Sequence, residues 1–303
     1  MTGLVVGMHW RGVGADEIAA SLPDTRPLNL WNLTSRIDRA IMGSPAENAV
    51  ARHRLHRAVR SVNGDTRAFA WALVTCPHRL TAPAMQELRR SSTRLVALLG
   101  DEPCGSRAIE QSVLDHFDLV SLADPRWQDS LPAHTPVTVE PWRSTLPIPK
   151  RRAHQIYRPE KLAFVGSPYA ERTEMMRTIA PHFPSITIGS WPHAAGVHQV
   201  PAISRHETIA VLRQHKALVV NMHHRQFTTG LNPQFFDYAI SGIPQLIAGA
   251  HSQDLFLPRL ANPWNETVTN PFDDSVHEAN RTLFDLDATD LHFIRTAESL
   301  VTL

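Results

Sequence analysis

One loop in the second half of the chain combines residues that suit a phosphate group. Gly166 and Ser167 directly follow an apolar stretch, and Arg172 comes about one helical turn later. A glycine lets a ligand approach the backbone closely, and the start of a helix presents amides and the positive end of its dipole. Arg172 would add charge-assisted hydrogen bonds to phosphate oxygens, although a single arginine at this spacing is also typical of a protein surface.

A second loop of similar character lies further along the chain. Its residues are Thr229, Gly230, Leu231 and Asn232. Asn232 is a good N-cap, Pro233 a good first helical residue and Gly242 a good residue just past a helix end, so a helix is predicted between them. Gly230 would leave room for a ligand, or would serve only as a turn glycine.

Asp237 lies inside this predicted helix, between Phe236 and Tyr238. A carboxylate there is a good acceptor for the two hydroxyl groups of a ribose. From the spacing alone, Asp237 could equally face solvent or form an ion pair with an arginine.

The pattern of the whole chain places both loops after strands. Short apolar runs alternate with helical stretches, which is typical of parallel strands covered on both faces. The predicted strands are 3–8, 68–75, 94–99, 118–122, 162–165, 185–188, 216–222 and 245–248. Helices are predicted from near Ala15, over 47–62 and 106–116, from Ser167 as N-cap with Pro168 as first residue, from a capping box at Ser204 and Glu207, and over 289–302. In open parallel sheets ligands bind beyond the carboxyl ends of the strands.

A change in composition divides the chain. Four prolines between 141 and 159 lie among Arg, Ser and Lys without a sustained apolar period, which is typical of a linker. The predicted organisation is an N-terminal domain over 1–145, a linker over 146–158 and a C-terminal domain over 159–303, with the last helix packing back on the first domain. The predicted fold class is α/β, with two Rossmann-like, doubly wound parallel-sheet domains in tandem.

The segment from Asn232 to Pro244 resembles the donor-site signature of GT-B-fold glycosyltransferases. The resemblance is carried by Asn232, Phe236, Asp237, Gly242 and Pro244, which follow the order Asn-x-Arg/Lys-x-Phe-Glu/Asp, four residues, Gly, one residue, Pro. Three further segments, 98–103, 117–120 and 165–172, resemble segments of the CgeB-like and group 1 glycosyltransferases. The resemblance spans about 94–274 of the chain.

The resemblance implies a glycosyltransferase, a hexosyltransferase in particular, that moves a sugar from a UDP-type nucleotide-diphosphate sugar to an acceptor hydroxyl. It implies that the domain over 159–303 binds the nucleotide sugar and that the domain over 1–145 lies on the acceptor side. It also implies that Asp237 binds ribose, that the two loops bind the diphosphate, and that no metal or other cofactor takes part. The acceptor, whether a glycan, a protein, a small molecule or a modified base, stays open. A catalytic base would come from the first domain, where the candidates are Glu102, Asp101 and His9, with Glu102 first because it coincides with the acidic position of the family.

Two departures from the family pattern leave alternatives open. Gln234 stands where a basic phosphate ligand is usual, and Thr229 stands where many retaining members carry a glutamate. A GT-B-fold sugar-nucleotide epimerase, or a nucleotide-sugar-binding protein without catalytic activity, would fit the same residues.

Composition narrows the class of protein. The formal net charge is +1, which argues against nucleic acid as the main partner. The two cysteines do not form a disulfide framework, and no apolar run reaches the roughly 18 residues of a membrane span, so a cytoplasmic location is predicted.

Overall fold

The chain divides into two α/β units, one before and one after Thr145 for most of its length. The structure is a computed structural model, which describes residues 2–7, 14–30, 57, 69–100, 109–150, 156–222, 231–248 and 270–302. The first unit comprises Met1–Thr145 with Thr296–Leu303, and the second comprises Leu146–Arg295. None of the described helices is both long enough and apolar enough to cross a membrane.

The first unit contains a six-stranded sheet in which every described strand pair is parallel. Its strands are β1 (Gly3–Gly7), β2 (Thr25–Asn29), β3 (Phe69–Val74), β4 (Ser92–Leu99), β5 (Leu119–Leu122) and β6 (Val137–Val139), in the spatial order β2-β1-β3-β4-β5-β6. The described helices between them are α1 (Ala15–Ala20), α2 (Ala82–Ser91) and α3 (Gln111–Leu114). All residues of β1 and of β5 are buried, which is expected when helices and loops cover both faces of a parallel sheet.

The second unit contains a five-stranded parallel sheet. Its strands are β7 (Lys161–Val165), β8 (Ser185–Ile188), β9 (Val197–Val200), β10 (Ala217–Met222) and β11 (Gln245–Ala248), in the spatial order β11-β10-β7-β8-β9. The helices are α4 (Ala170–Ile179), α5 (Arg205–Gln214), α6 (Pro233–Ser241) and α7 (Asp274–Phe284). A last helix, α8 (Phe293–Thr302), begins in this unit, and its residues from Thr296 onward belong to the first.

Helices cover both faces of the second sheet because successive side chains of a strand point to opposite sides. Leu162 and Phe164 pack in one core with Met176 of α4. Ala163 and Val219 pack in the other core, with residues of α5 and α6. The predicted α/β class, with two doubly wound parallel sheets in series, is therefore confirmed.

The strands predicted from apolar runs are found within a few residues of their expected positions, and three strands were missed. The missed strands are β2, β6 and β9, and each lies at the edge of its sheet. An edge strand needs no continuous apolar run, and β2 even contains Pro27, which an edge tolerates because one side of the strand has no partner. The helices α2 and α7 were also missed, and the helix predicted over 47–62 falls almost wholly outside the described residues.

The predicted ends of α6 are confirmed. The side chain of Asn232 accepts a hydrogen bond from the amide of Phe235 at 2.9 Å, and Gly242 ends the helix in the left-handed conformation with φ +66°. The capping box that opens α5 is also present, since Ser204 and Glu207 exchange side-chain to backbone hydrogen bonds.

Gly242→Ala should destabilise the second unit through both backbone and packing. A Cβ at this position would lie 2.5 Å from Cε2 of Phe284, in addition to the strain of φ +66°. Left-handed strain of roughly 1–2 kcal/mol and overpacking of roughly 1–3 kcal/mol together give a loss of about 3 kcal/mol in the free energy of unfolding, measured by urea denaturation.

Gly196→Ala is the matched control. Gly196 also has a left-handed φ, of +77°, but a Cβ there meets nothing within 4 Å, so the loss should be only roughly 1–2 kcal/mol. Equal losses in the two variants would contradict the prediction, since they would show that Phe284 moves aside without cost.

Candidate nucleotide-binding site

The topology of the second sheet indicates where a ligand crevice is expected, at the carboxyl edge of the strands. The chain runs from β7 outward through β8 to β9, then returns to β10 on the other side of β7. The strand order therefore reverses between β7 and β10, and ligands of doubly wound sheets bind at such a switch point. The two loops predicted to bind phosphate are those that follow β7 and β10, so both belong to the strands that flank this crevice.

At the end of β7, two side-chain nitrogens face the open side of Gly166. A Cβ built on Gly166 would lie 3.4 Å from Nη1 of Arg172 and 3.6 Å from Nε2 of Gln234. Gly166 itself has φ +96°, which glycine adopts without strain. We call Gly166, Arg172 and Gln234 the Gly166 cradle. It joins the loop after β7 to the first turn of α6, and its N–H groups suit an anionic oxygen.

Arg172 is half-buried on α4 and is oriented by its neighbours. Its Nη1 lies 3.5 Å from the carbonyl oxygen of Ser167, and its guanidinium carbon lies 5.6 Å from the ring centre of Tyr169. Burial lowers the pKa of Arg172, and the nearby hydroxyls of Tyr238 and Tyr169 oppose that shift. A bound anion would act in the same direction as these tyrosines, since a negative charge favours the charged form of arginine.

The start of α4 differs from the prediction. The helix begins at Ala170 with Tyr169 as N-cap, so Ser167 and Pro168 lie in the loop and do not cap it. The carbonyl oxygen of Ser167 accepts a hydrogen bond from the amide of Tyr169 at 3.0 Å, which closes a tight turn. Because of this turn the helix is capped at Tyr169, two residues later than predicted. The prediction of Ser167 as an N-cap is wrong, although the loop still follows β7.

A network of buried amide side chains holds the start of α6. Asn232 donates to Asn221 of β10 at 2.9 Å, and Asn221 donates to Gln245 of β11 at 3.0 Å. Gln245 donates to the carbonyl of Phe235 at 3.1 Å, and its own backbone amide donates to Asn280 of α7 at 2.8 Å. Each of these four amide side chains is less than 7% exposed. We call Asn221, Asn232, Gln245 and Asn280 the amide network.

The N-terminus of α6 offers fewer amides than expected. Pro233 has no N–H group, and the amide of Phe235 donates to Asn232. Leu231 is wholly buried in the core, so a ligand could reach only its backbone. In the described part of this loop, the side chain of Gln234 is therefore the donor that α6 directs at Gly166.

Asp237 forms an ion pair with Arg205, the first residue of α5. Nε of Arg205 donates to Oδ2 at 2.6 Å, and Nη2 donates to Oδ1. The two side chains are only 12% and 8% exposed. Of the possibilities left open by the sequence, the structure excludes that Asp237 faces solvent and shows a bidentate arginine partner. The role of Asp237 in ribose binding stays a prediction.

Two further side chains adjoin this ion pair. Burial, reinforced by the charge of Asp237, raises the pKa of Tyr238 well above its ordinary value and keeps it neutral. Burial and the charge of Arg205 lower the pKa of His292, whose Nδ1 accepts a hydrogen bond from the amide of Ile294 at 3.2 Å. At neutral pH these two groups are uncharged, so neither adds a charge beside the ion pair.

Several predicted site residues lie outside the described residues. They are His9, Asp101, Glu102, Thr229 and Gly230. Among the residues that the structure does describe, no group of three or more His, Cys, Asp or Glu side chains could hold a metal ion.

The structure adds residues that the sequence did not single out. Arg205 follows the capping residue Ser204, which marks a helix start but carries no sign of a partner 32 residues away. Asn221 stands in an apolar strand and Gln245 opens another, and an amide inside a buried strand is a signal that could have been used.

Comparisons with known proteins leave the family open. No protein-family model matches the sequence, and no curated protein matches it.

Solved structures with a similar course of the chain include MurG of Acinetobacter baumannii, with 11% identity, 100% of this chain and 92% of that one covered, and a TM-score of 0.41. The glycosyltransferase SnogD from Streptomyces nogalater has 14% identity, coverage of 100% and 99%, and a TM-score of 0.46. AviGT4, a glycosyltransferase involved in avilamycin A biosynthesis, has 17% identity, coverage of 99% and 93%, and a TM-score of 0.39. Because these TM-scores are below 0.5, we base the proposed function on the chain's own topology and side chains.

Asn221→Ala should destabilise the second unit strongly. The substitution leaves the side chains of Asn232 and Gln245 buried with a partner lost on each, which costs about 2–4 kcal/mol of the free energy of unfolding. Urea denaturation followed by circular dichroism measures the loss.

Thr187→Val is the matched control for a buried polar group in the same sheet. Thr187 is 1% exposed on β8, and its hydroxyl has no hydrogen-bond partner among the described residues. Its removal should leave stability unchanged or raise it by up to about 1 kcal/mol. A loss in Thr187→Val as large as in Asn221→Ala would contradict the prediction, because an unpaired hydroxyl would then cost as much to remove as a hydrogen-bonded amide.

Proposed function

We propose that this protein is a glycosyltransferase that binds a nucleotide-diphosphate sugar at the crevice between β7 and β10 and transfers the sugar to an acceptor hydroxyl. The observation that carries the proposal is the Gly166 cradle at the topological switch point. It sets an arginine of α4 and an amide side chain of α6 beside the glycine that follows β7. The resemblance of 232–244 to a donor-site signature supports the same assignment.

The chemistry of transfer explains why an arginine and an amide would suit this place. Negative charge develops on the leaving diphosphate as the bond to the sugar breaks, and oriented N–H donors stabilise it. Arg172 would supply the positive charge and Gln234 a neutral donor, in place of the basic residue usual in the resembled family. A diphosphate would also offset the burial that lowers the pKa of Arg172.

The identity of the catalytic base is part of the proposal. The first sheet reverses its strand order between β1 and β3, so its switch point lies there. His9 follows β1 along the chain, whereas Asp101 and Glu102 follow β4, one strand further from the switch point. We propose the base among these three residues, with Glu102 first because it coincides with the acidic position of the resembled family.

The finer features of the proposed function rest on the resemblance alone. We propose a UDP-type donor with a hexose, transfer without a metal, a cytoplasmic location and a place near the CgeB-like glycosyltransferases. The acceptor is left undefined as a glycan, a protein, a small molecule or a modified base.

Arg172→Met should weaken the binding of a nucleoside diphosphate. Isothermal titration calorimetry with UDP, ADP, GDP and CDP identifies the nucleotide that binds, with UDP expected to bind most tightly. Loss of a charge-assisted hydrogen bond to phosphate should reduce the affinity for that diphosphate at least about ten-fold, while the affinity for the parent nucleoside stays within about two-fold.

Arg177→Met is the control, because Arg177 is an exposed arginine on the same helix as Arg172. It should bind the diphosphate as the wild type does. The proposal fails if the wild type binds none of the four diphosphates, or if Arg172→Met binds them unchanged. Incubation with UDP-hexose alone, followed by NMR, separates a transferase from an epimerase, since only the latter accumulates an epimerised sugar nucleotide.

A further inference from the structure

We infer that Trp142 is a stacking platform for the acceptor, and that the acceptor presents a ring with a flat apolar face beside the hydroxyl that receives the sugar. The inference rests on the proposed function, since it names an acceptor class for the transfer described above. Its basis is the contact of a partly exposed tryptophan with Gly100 at the carboxyl edge of the first sheet. We call Gly100 and Trp142 the Trp142 platform.

The Trp142 platform lies at the edge of the first sheet where ligands of parallel sheets bind. Gly100 directly follows β4, and Trp142 comes three residues after the end of β6. Because β5 lies between β4 and β6, the chain after β6 must cross the end of β5 to bring the indole to Gly100. Both residues therefore stand beyond the carboxyl ends of the strands.

The absence of a side chain at Gly100 gives the indole its place. A Cβ built on Gly100 would lie 2.3 Å from Cε3 and 2.4 Å from Cζ3 of Trp142, so the six-membered ring of the indole lies directly against the glycine backbone. Any larger residue at this position would force the ring away. The contact fixes one edge of the ring, and the side chain as a whole is still partly exposed.

Trp142 differs from the other tryptophans that the structure describes. Trp71, Trp127 and Trp191 are at most 9% exposed. The indole N–H of Trp191 donates to the carbonyl of Ile188 at 3.3 Å, whereas the indole nitrogen of Trp142 has no hydrogen-bond partner among the described residues. A tryptophan that serves the core alone is usually buried with its N–H paired, and Trp142 meets neither condition.

The backbone on both sides of Trp142 is anchored by α8. The carbonyl of Pro141 accepts a hydrogen bond from Thr296 at 2.9 Å, and Arg143 donates to the hydroxyl of Thr296 at 3.0 Å. Arg143 also donates to the carboxylate of Glu140 at 2.9 Å. The indole is therefore presented by a fixed segment, so little conformational entropy is lost when a ligand stacks on it.

The chemistry of an indole favours ligands with a ring. Its large π face stacks on an aromatic ring, and the C–H face of a sugar ring is flat and apolar enough to cover it in the same way. The side chain of a serine or threonine is too small to do so. Of the acceptors that the sequence left open, a glycan or a small cyclic molecule therefore fits the Trp142 platform better than a protein hydroxyl.

The Trp142 platform also adjoins the first candidate for the catalytic base. Glu102 follows Gly100 by two residues in the sequence. Two residues of chain span at most about 7 Å, and a general base must reach the hydroxyl that it deprotonates. A ring seated on the Trp142 platform would hold its hydroxyl near that part of the chain.

The experiment follows the indole N–H signals of the full chain by NMR while probes are added. Umbelliferone is the aromatic probe, methyl glucopyranoside the sugar probe and N-acetylserinamide the probe without a ring, and each carries a hydroxyl. The signal of Trp142 is the one that is missing from Trp142→Phe. In the wild type a ring probe should shift this signal until it saturates, and N-acetylserinamide should not. The ring probe that acts identifies the acceptor ring as aromatic or as a sugar.

Three variants separate stacking from packing, with dissociation constants taken from the signals of the probe. Trp142→Ala should weaken the binding of the ring probe about ten-fold, because the aromatic stack is lost. Trp142→Phe keeps an aromatic face and should stay within about three-fold of the wild type. Gly100→Ala keeps the indole but displaces it, so it should weaken binding at least about three-fold.

Ile148→Ser is the matched control. Ile148 is a large apolar side chain that is 45% exposed, and it lies six residues after Trp142 in the sequence. Its removal should leave the binding of the ring probe unchanged, because the probe needs the Trp142 platform and not any exposed apolar group. Thermal unfolding of each variant shows that it is folded.

Three results would overturn the inference. They are a Trp142 signal that neither ring probe shifts, equal binding of the ring probe by Trp142→Ala, and equally tight binding of N-acetylserinamide. The proposed function fails on a different result, which is a wild type that binds no nucleoside diphosphate. Binding of UDP without any effect of the ring probes at Trp142 would remove the inference and leave the proposed function in place.

Discussion

The amide network is the interaction on which the candidate site depends. It connects β10, α6, β11 and α7 through side chains that act as donor and acceptor at once, so the burial of each is compensated by its neighbours. The start of α6 is therefore fixed relative to the sheet. Gln234 and Asp237 both belong to the first two turns of that helix. The same network therefore sets the position of the proposed diphosphate ligand, Gln234, and of the proposed ribose ligand, Asp237.

The two arginines of the candidate site differ in how they are held and buried. Arg205 has its counter-charge within the protein, in a bidentate pair with Asp237. Burial penalises the charged form of Arg172 and lowers its pKa. The first arrangement gives a fixed geometry, and the second gives a cation whose desolvation an incoming anion would offset.

Local sequence signals predicted the parts of the fold that local physics controls. The N-cap Asn232 and the left-handed Gly242 were placed correctly because each acts within a few residues of itself. The edge strands β2, β6 and β9 were missed because an edge is defined by its neighbours in space. For the same reason, nothing near Arg205 in the sequence indicates Asp237, and nothing near Gln234 indicates that its amide faces Gly166.

The division of the first unit between the two ends of the chain bears on the order of folding during synthesis. Thr296 is wholly buried in that unit, where it donates to the carbonyl of Pro141 at 2.9 Å and accepts from Arg143 at 3.0 Å. From Thr145 to Thr296 the ribosome adds 151 residues, the difference 296 − 145, which contain the second unit. At roughly 5–20 residues per second this takes about 8–30 seconds. The second unit can thus finish folding before Thr296 is synthesised. Pro141 and Arg143 can form their hydrogen bonds with Thr296 only after that.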